Sequence, residues 1–188
     1  GTVKLVQCNF SQYSSRYDAF CAGDVQPAFD PACAGGALMD LGVYNVSYIV
    51  GLFGEPNQAK YTANIERGID TSGILTMDYS GFKAVSIAAK DCAAPARYII
   101  QGTKGYILQK STANCCGGVT FHPNEGKEEH YNLNGGRPRQ AAEFEAFARA
   151  LENGDQELCT RMQDTTIAVS RVLTVARRNA GIRFPCDH

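Results

Sequence analysis

Residues 35–53 read GGALMDLGVYNVSYIVGLF, and this apolar segment constrains the fold more than any other stretch of the chain. Leu38, Met39, Leu41, Val43, Val46, Ile49, Val50 and Phe53 are too many apolar side chains for a solvent-exposed helix. The spacing therefore predicts a helix packed against something larger. Gly35 and Gly36 open it, where the backbone must turn sharply or pack closely. Gly54 ends it, with Glu55 and Pro56 just beyond. Asp40 and Tyr44 stand i, i+4 and would share one face. Buried polar groups need partners or a purpose. Spacing leaves two readings open. Asp40 could complement the helix dipole while Tyr44 serves as a core aromatic with a satisfied hydroxyl. Alternatively, the pair belongs to an active site.

The rest of the chain predicts an α+β order. Residues 2–9 alternate as a strand, and residues 11–31 form a polar loop rich in Ser, Tyr and Asp. After the apolar helix comes a long β region, with strands over 58–67, 72–79, 83–90, 97–101 and 106–110. Ser80-Gly81 marks a tight hairpin turn, and weaker strands span 118–122 and 128–133. A helix begins near Pro138, with Ala141, Phe144, Ala148 and Leu151 as its stripe. A last helix covers 157–179, with Met162, Val169, Val172, Leu173 and Ala176 on its buried side. Consecutive strands with short turns imply a mostly antiparallel open-faced β-sheet, with helices packed on one face. The half-alternating strands around Ile74–Met77 and Val85–Ala88 leave the other face partly apolar, a surface suited to association.

Composition narrows the function. A chain of 188 residues makes one domain, 1–188, with room for a sizeable core. The formal net charge of -1 and the lack of a basic patch argue against nucleic acid. No run reaches the roughly 18 uninterrupted apolar residues of a membrane span. Asn45 and Gly51 break the best candidate. The eight cysteines are scattered without a CxxC pair, and the three histidines have no matching spacing. The expectation is reduced thiols in a cytoplasmic protein, and no metal.

The order of several motifs resembles the C-terminal domain of the glucose–fructose oxidoreductase / inositol dehydrogenase / rhizopine-catabolism (Gfo/Idh/MocA) family. GGALMDLGVYNV is similar to the segment that opens it, with a glycine cluster, Asp, three residues and His or Tyr. Ala34 departs from a frequent triple glycine. QCNFSQYSSRYDAF resembles the first strand and loop, and ARYIIQGTKGYILQ the strand–Gly-x-x-Gly–strand segment. AAEFEAFARALENG and RVLTVARRNAGIRFPCDH resemble the closing helices and tail. The tyrosine version is similar to the glucose–fructose oxidoreductase and dimeric dihydrodiol dehydrogenase branch. The resemblance implies a dihydrodipicolinate reductase-like C-terminal fold whose open sheet face pairs two subunits as a homodimer.

Two features of such enzymes are missing. No GxGxxG follows a strand, no acidic residue lies about 20 positions beyond one, and no Glu-Lys-Pro occurs. Gly102-Thr103-Lys104-Gly105 is flanked by strands and reads as a hairpin turn, not a phosphate loop. The expectation is a C-terminal substrate-binding and dimerisation domain without its N-terminal Rossmann domain. NAD or NADP would be bound mainly by that missing domain, and the fragment alone would be inactive. The implied reaction is hydride transfer between NAD(P) and a CH–OH group of a small sugar, polyol or cyclic diol. Tyr44 would pass the hydroxyl proton, helped by a nearby cation. Asp40 would hold a substrate hydroxyl. Arg16 could bind substrate oxygens or be a solvated loop arginine. Tyr13 and Tyr17 could line the pocket or simply pack on the loop. The alternative class is a noncatalytic sugar-binding or scaffold dimer.

Overall fold

The computed structural model describes residues 1–187. Its centre is an eight-stranded sheet in the order β2-β3-β4-β1-β5-β6-β7-β8. The strands are β1 (Val3–Ser11), β2 (Gln58–Glu66), β3 (Ile69–Asp78), β4 (Lys83–Ala89), β5 (Arg97–Gly102), β6 (Gly105–Gln109), β7 (Val119–Pro123) and β8 (Glu129–Tyr131). All neighbours pair antiparallel except β1 and β4, which run parallel with Val6 opposite Ala84 and Phe10 opposite Ala88. The expected α+β class and mostly antiparallel open sheet are what the structure has.

The helices are α1 (Tyr17–Ala22), α2 (Val43–Phe53), α3 (Ala141–Asn153) and α4 (Gln156–Asn179). Alternation sends Val6, Cys8, Leu75, Met77, Ala84 and Tyr98 to one side of the sheet. There they meet Val46, Ile49 and Val50 of α2, and Val169, Val172, Leu173 and Ala176 of α4. Burial pushes the Cys8 thiol far above its usual range, so it is an inert core group. The eight cysteines are free thiols.

Asn45 is the polar pin between helix and sheet. It is fully buried, donates to Ser86 Oγ (3.0 Å) and to the Ile87 carbonyl (2.9 Å), and accepts from the Tyr98 hydroxyl (2.6 Å). Its polar side chain interrupts the segment's hydropathy, yet every bond it makes fixes α2 in place.

Four expectations are corrected. The apolar segment is not one α-helix: Leu38–Gly42 is a π-helical turn, and α2 begins only at Val43. The loop at 11–31 contains α1 and two short 3₁₀ turns, because Pro27 and Pro31 each start one. The stripe on α3 faces solvent, with Phe144 68% and Leu151 82% exposed, because α3 packs mainly on α4 and buries only Ala150. Met162 of α4 is also exposed, since the first turns of α4 lie beyond the sheet-covering part of that helix.

Gly36 shows why glycine opens the segment. Its φ is +103°, and a Cβ there would sit 2.1 Å from Asp70 Oδ1. Both the backbone and the space exclude a side chain. Gly36→Ala is expected to cost about 2–3 kcal/mol of stability. Denaturant unfolding of the variant beside the parent checks this, and an unchanged midpoint would show that Asp70 moves aside freely.

Candidate active site

The parallel pairing of β1 and β4 brings their C-terminal ends to the same edge of the sheet. The π turn and the start of α2 cross that edge. Gly42 faces β4 there: a Cβ on it would meet Ala88 Cβ at an ordinary contact distance of 3.6 Å and Leu38 Cδ1 more tightly, at 3.1 Å. The chain continues from each strand end into the site: β1 leads to Tyr13, Arg16 and Tyr17, and β4 leads to Lys90.

Asp40 lies in the π turn with its side chain 49% exposed, and its Oδ2 accepts from Lys90 Nζ at 2.7 Å. Tyr44 is 39% exposed, and its ring packs on Phe10 with 5.7 Å between centroids. Both side chains are therefore at the surface of the helix rather than within the core. The Tyr44 hydroxyl makes no hydrogen bond among the described residues.

Tyr13 and Tyr17 meet edge to face at 5.6 Å. The Tyr13 hydroxyl donates to Asp18 (2.6 Å), and the Tyr17 hydroxyl donates to Glu66 (2.8 Å). Each bond pushes its phenol's pKa up, because the carboxylate acceptor favours the protonated form. Tyr17 also packs against Phe29, the rings tilted at 38° with centroids 6.0 Å apart. Arg16 sits at the N-cap of α1, exposed, and its guanidinium has no partner among the described residues. The structure thus links Asp40, Tyr17 and Tyr13 through Lys90 and Phe29, and places Tyr44 beside Phe10.

Two residues that sequence pattern alone does not single out, Lys90 and Asp70, adjoin these side chains and their turn. Lys90 is 2% exposed, with its ammonium 4.3 Å above the Phe29 ring. Strand parity could have found it: Ala84, Ser86 and Ala88 point inward, and residue 90 continues that row. Asp70, 1% exposed, accepts through Oδ2 from the Leu38 amide (2.7 Å) and from the Tyr61 hydroxyl (2.7 Å). It thereby tethers the N-terminal end of the π turn to β3. Arg139 bonds Cys115 Sγ at 3.2 Å. That thiol chiefly raises the guanidinium's pKa.

Residues 1–108 match the GFO/IDH/MocA C-terminal domain, and the chain belongs to this family. It is 32% identical over 188 residues to scyllo-inositol 2-dehydrogenase (NADP(+)) of Bacillus subtilis, covering 100% of this chain and 57% of that protein. It is 24% identical to trans-1,2-dihydrobenzene-1,2-diol dehydrogenase of Danio rerio, covering 100% of this chain and 56% of that protein. Aldose-aldose oxidoreductase from Caulobacter crescentus, solved with glycerol, superposes with a TM-score of 0.71 at 18% identity, covering 96% of this chain and 54% of that one. The chain thus spans about half the length of the curated relatives it matches; both are dehydrogenases by name, the Bacillus subtilis one NADP(+)-dependent.

Asp70 makes stability depend on pH. Burial raises its pKa above the usual carboxylate value, and the bonds from Leu38 and Tyr61 only partly offset this. A raised native pKa means its contribution is full below the unfolded value and is lost as pH rises through the native one. The stability advantage of the parent over Asp70→Asn should therefore shrink as pH climbs through that window. Urea unfolding at a series of pH values checks the trend, and a widening advantage would contradict it.

Proposed function

We propose that this chain is the substrate-binding domain of an NAD(P)-dependent oxidoreductase acting on a CH–OH group of a small sugar, polyol or cyclic diol. The observation that carries the reading is the state of the phenols at the strand ends. Tyr13 and Tyr17 have their protons engaged by carboxylates, whereas Tyr44 is half-exposed and its hydroxyl is free of protein partners. Of the three, Tyr44 is the phenol able to exchange a proton with a bound substrate. Asp40, on the preceding turn, accepts a substrate hydroxyl. Arg16 is free to meet substrate oxygens, and the aromatic faces of Tyr13 and Tyr17 form the neighbouring wall.

Gly102–Gly105 does not offer a phosphate loop: it is a two-residue hairpin turn joining β5 and β6, with Gly102 opposite Gly105. The proposal assigns the nicotinamide cofactor to a separate nucleotide-binding domain. This chain supplies the proton and substrate side of the reaction.

The open sheet face supports self-association. The register aligns Thr76, Val85, Gln7, Ile99 and Leu108 in one row across it, with Leu5, Ile74 and Tyr106 exposed nearby. Such a surface, with apolar side chains exposed across several strands, fits a second copy of the chain. Sedimentation should give a dimer with or without reductant, and Ile74→Lys should give a monomer. A monomeric parent, or a dimer lost on reduction, would remove the sheet from the interface.

In the full-length protein, Tyr44→Phe should lower kcat by about 10²–10⁴-fold with little change in KM, because the ring is kept and only the proton is lost. Asp40→Asn should lower kcat and raise KM. Steady-state kinetics and a melting curve separate this from a structural Tyr44, whose loss would cost about 1 kcal/mol of stability and no activity.

A further inference from the structure

We propose that Lys90 is a positioning residue: it holds Asp40 by one carboxylate oxygen so that the other faces the substrate's hydroxyl groups. This rests on the assignment of Asp40 to the substrate side of the reaction.

The first argument is asymmetry. Lys90 is 2% exposed, while the Asp40 side chain is 49% exposed. An ammonium at a purely structural core position is replaceable by an apolar side chain of the same size, often without loss of stability. A pair with one dry end and one wet end gains little for the fold, because the wet carboxylate is screened by solvent. It does fix the direction in which that carboxylate points.

The second argument is how fully Lys90 is held. Its Nζ donates to the Ala28 carbonyl (2.5 Å) and to Asp40 Oδ2 (2.7 Å), and the Phe29 ring covers its remaining side at 4.3 Å. Its own backbone is clamped on both sides. The Lys90 amide donates to the Thr71 carbonyl (2.8 Å), and the Lys90 carbonyl accepts from the Ser14 amide (2.8 Å). Asp70 is the other carboxylate that feels this charge, but its Oδ2 is taken by Leu38 and Tyr61. The direct ion pair therefore goes to Asp40.

The third argument is what remains free. Asp40 Oδ1 accepts no hydrogen bond among the described residues. One oxygen is anchored to the core and the other is open, on a turn that is itself tethered through Leu38. A carboxylate immobilised in this way loses little freedom when a hydroxyl binds to it, which is where affinity is gained.

A double-mutant cycle in the full-length protein tests the role, with NADP⁺ and scyllo-inositol, D-xylose and a trans-dihydrodiol as probe substrates. Lys90→Met should raise KM by about tenfold or more, with kcat changed by less than about threefold. Added to Asp40→Asn, it should change kcat/KM by less than about twofold, because its effect passes through the carboxylate already removed. Lys90→Gln, which keeps a donor for the Ala28 carbonyl, should fall between parent and Lys90→Met. If circular dichroism shows that Lys90→Met does not fold, the cycle is read on Lys90→Gln by the same criteria. A parental KM in the Lys90 variant, or equal losses in both backgrounds, would overturn the positioning role while leaving the enzyme reading intact. A wild-type protein inactive on every probe would overturn the enzyme reading, and the role of Lys90 with it.

Discussion

The parallel pairing of β1 with β4, inside a sheet that is otherwise antiparallel, is the constraint on which the site depends. In an antiparallel pair, neighbouring strands end at opposite edges, and the residues that follow them are far apart. Here both central strands end at the same edge. The loop after Ser11 and the residue after Ala89 therefore meet, and backbone bonds from Gln12 to Ala89 and from Ser14 to Lys90 join them, at 2.9 and 2.8 Å. The crossover that makes the pairing possible carries the π turn and α2, so the segment with Asp40 and Tyr44 lies across the two strand ends.

Two buried polar groups hold that crossover in place, and they act at opposite ends. Asn45 binds the start of α2 to β4 and β5 through bonds to Ser86, Ile87 and Tyr98. Asp70 binds the front of the π turn to β3 through the Leu38 amide. Neither is a strong net source of stability, since a typical bond returns only about 1 kcal/mol after both partners leave water. Their effect is on geometry. Sliding α2 along the sheet would strand a buried amide and a buried carboxylate, each costing about 1–3 kcal/mol or more, whereas apolar contacts alone would tolerate the shift. Position is thus fixed by the penalty for losing polar partners, while the apolar layer between α2, α4 and the sheet provides the bulk of the burial energy.

The sheet was legible in the sequence because its information is local. Period-two alternation, Ser80-Gly81 and the Gly102–Gly105 turn each declare themselves within a few residues. The π turn did not, because it depends on partners outside the segment. Gly36 must turn with positive φ, and Asp70, more than thirty residues away, must cap Leu38. The α3 stripe misled for the converse reason: Phe144, Phe147 and Leu151 have helical spacing, but spacing says only that one face is apolar, not that this chain covers it. Asp40 and Tyr44 are candidates through the family resemblance of the glycine-cluster segment, since their i, i+4 spacing alone leaves their role open. Lys90 ends the strand expected over 83–90, and only the side that its neighbours face reveals it as buried.

The site also shows how identical side chains acquire different chemistry. Tyr13, Tyr17 and Tyr44 are three phenols near one edge of the sheet. Tyr17 stacks on Phe20, packs tilted against Phe29 and donates to Glu66, and Tyr13 donates to Asp18. A phenol that donates to a carboxylate is held in its protonated form, because ionising it would set two negative charges against each other. Such a group can give packing and shape but is a poor proton carrier at neutral pH. Tyr44 packs against Phe10, and its hydroxyl makes no hydrogen bond to a carboxylate among the described residues. The hydrogen bonds that hold two of the phenols are absent from the third, and the role proposed for Tyr44 rests on that difference in partners rather than on residue type.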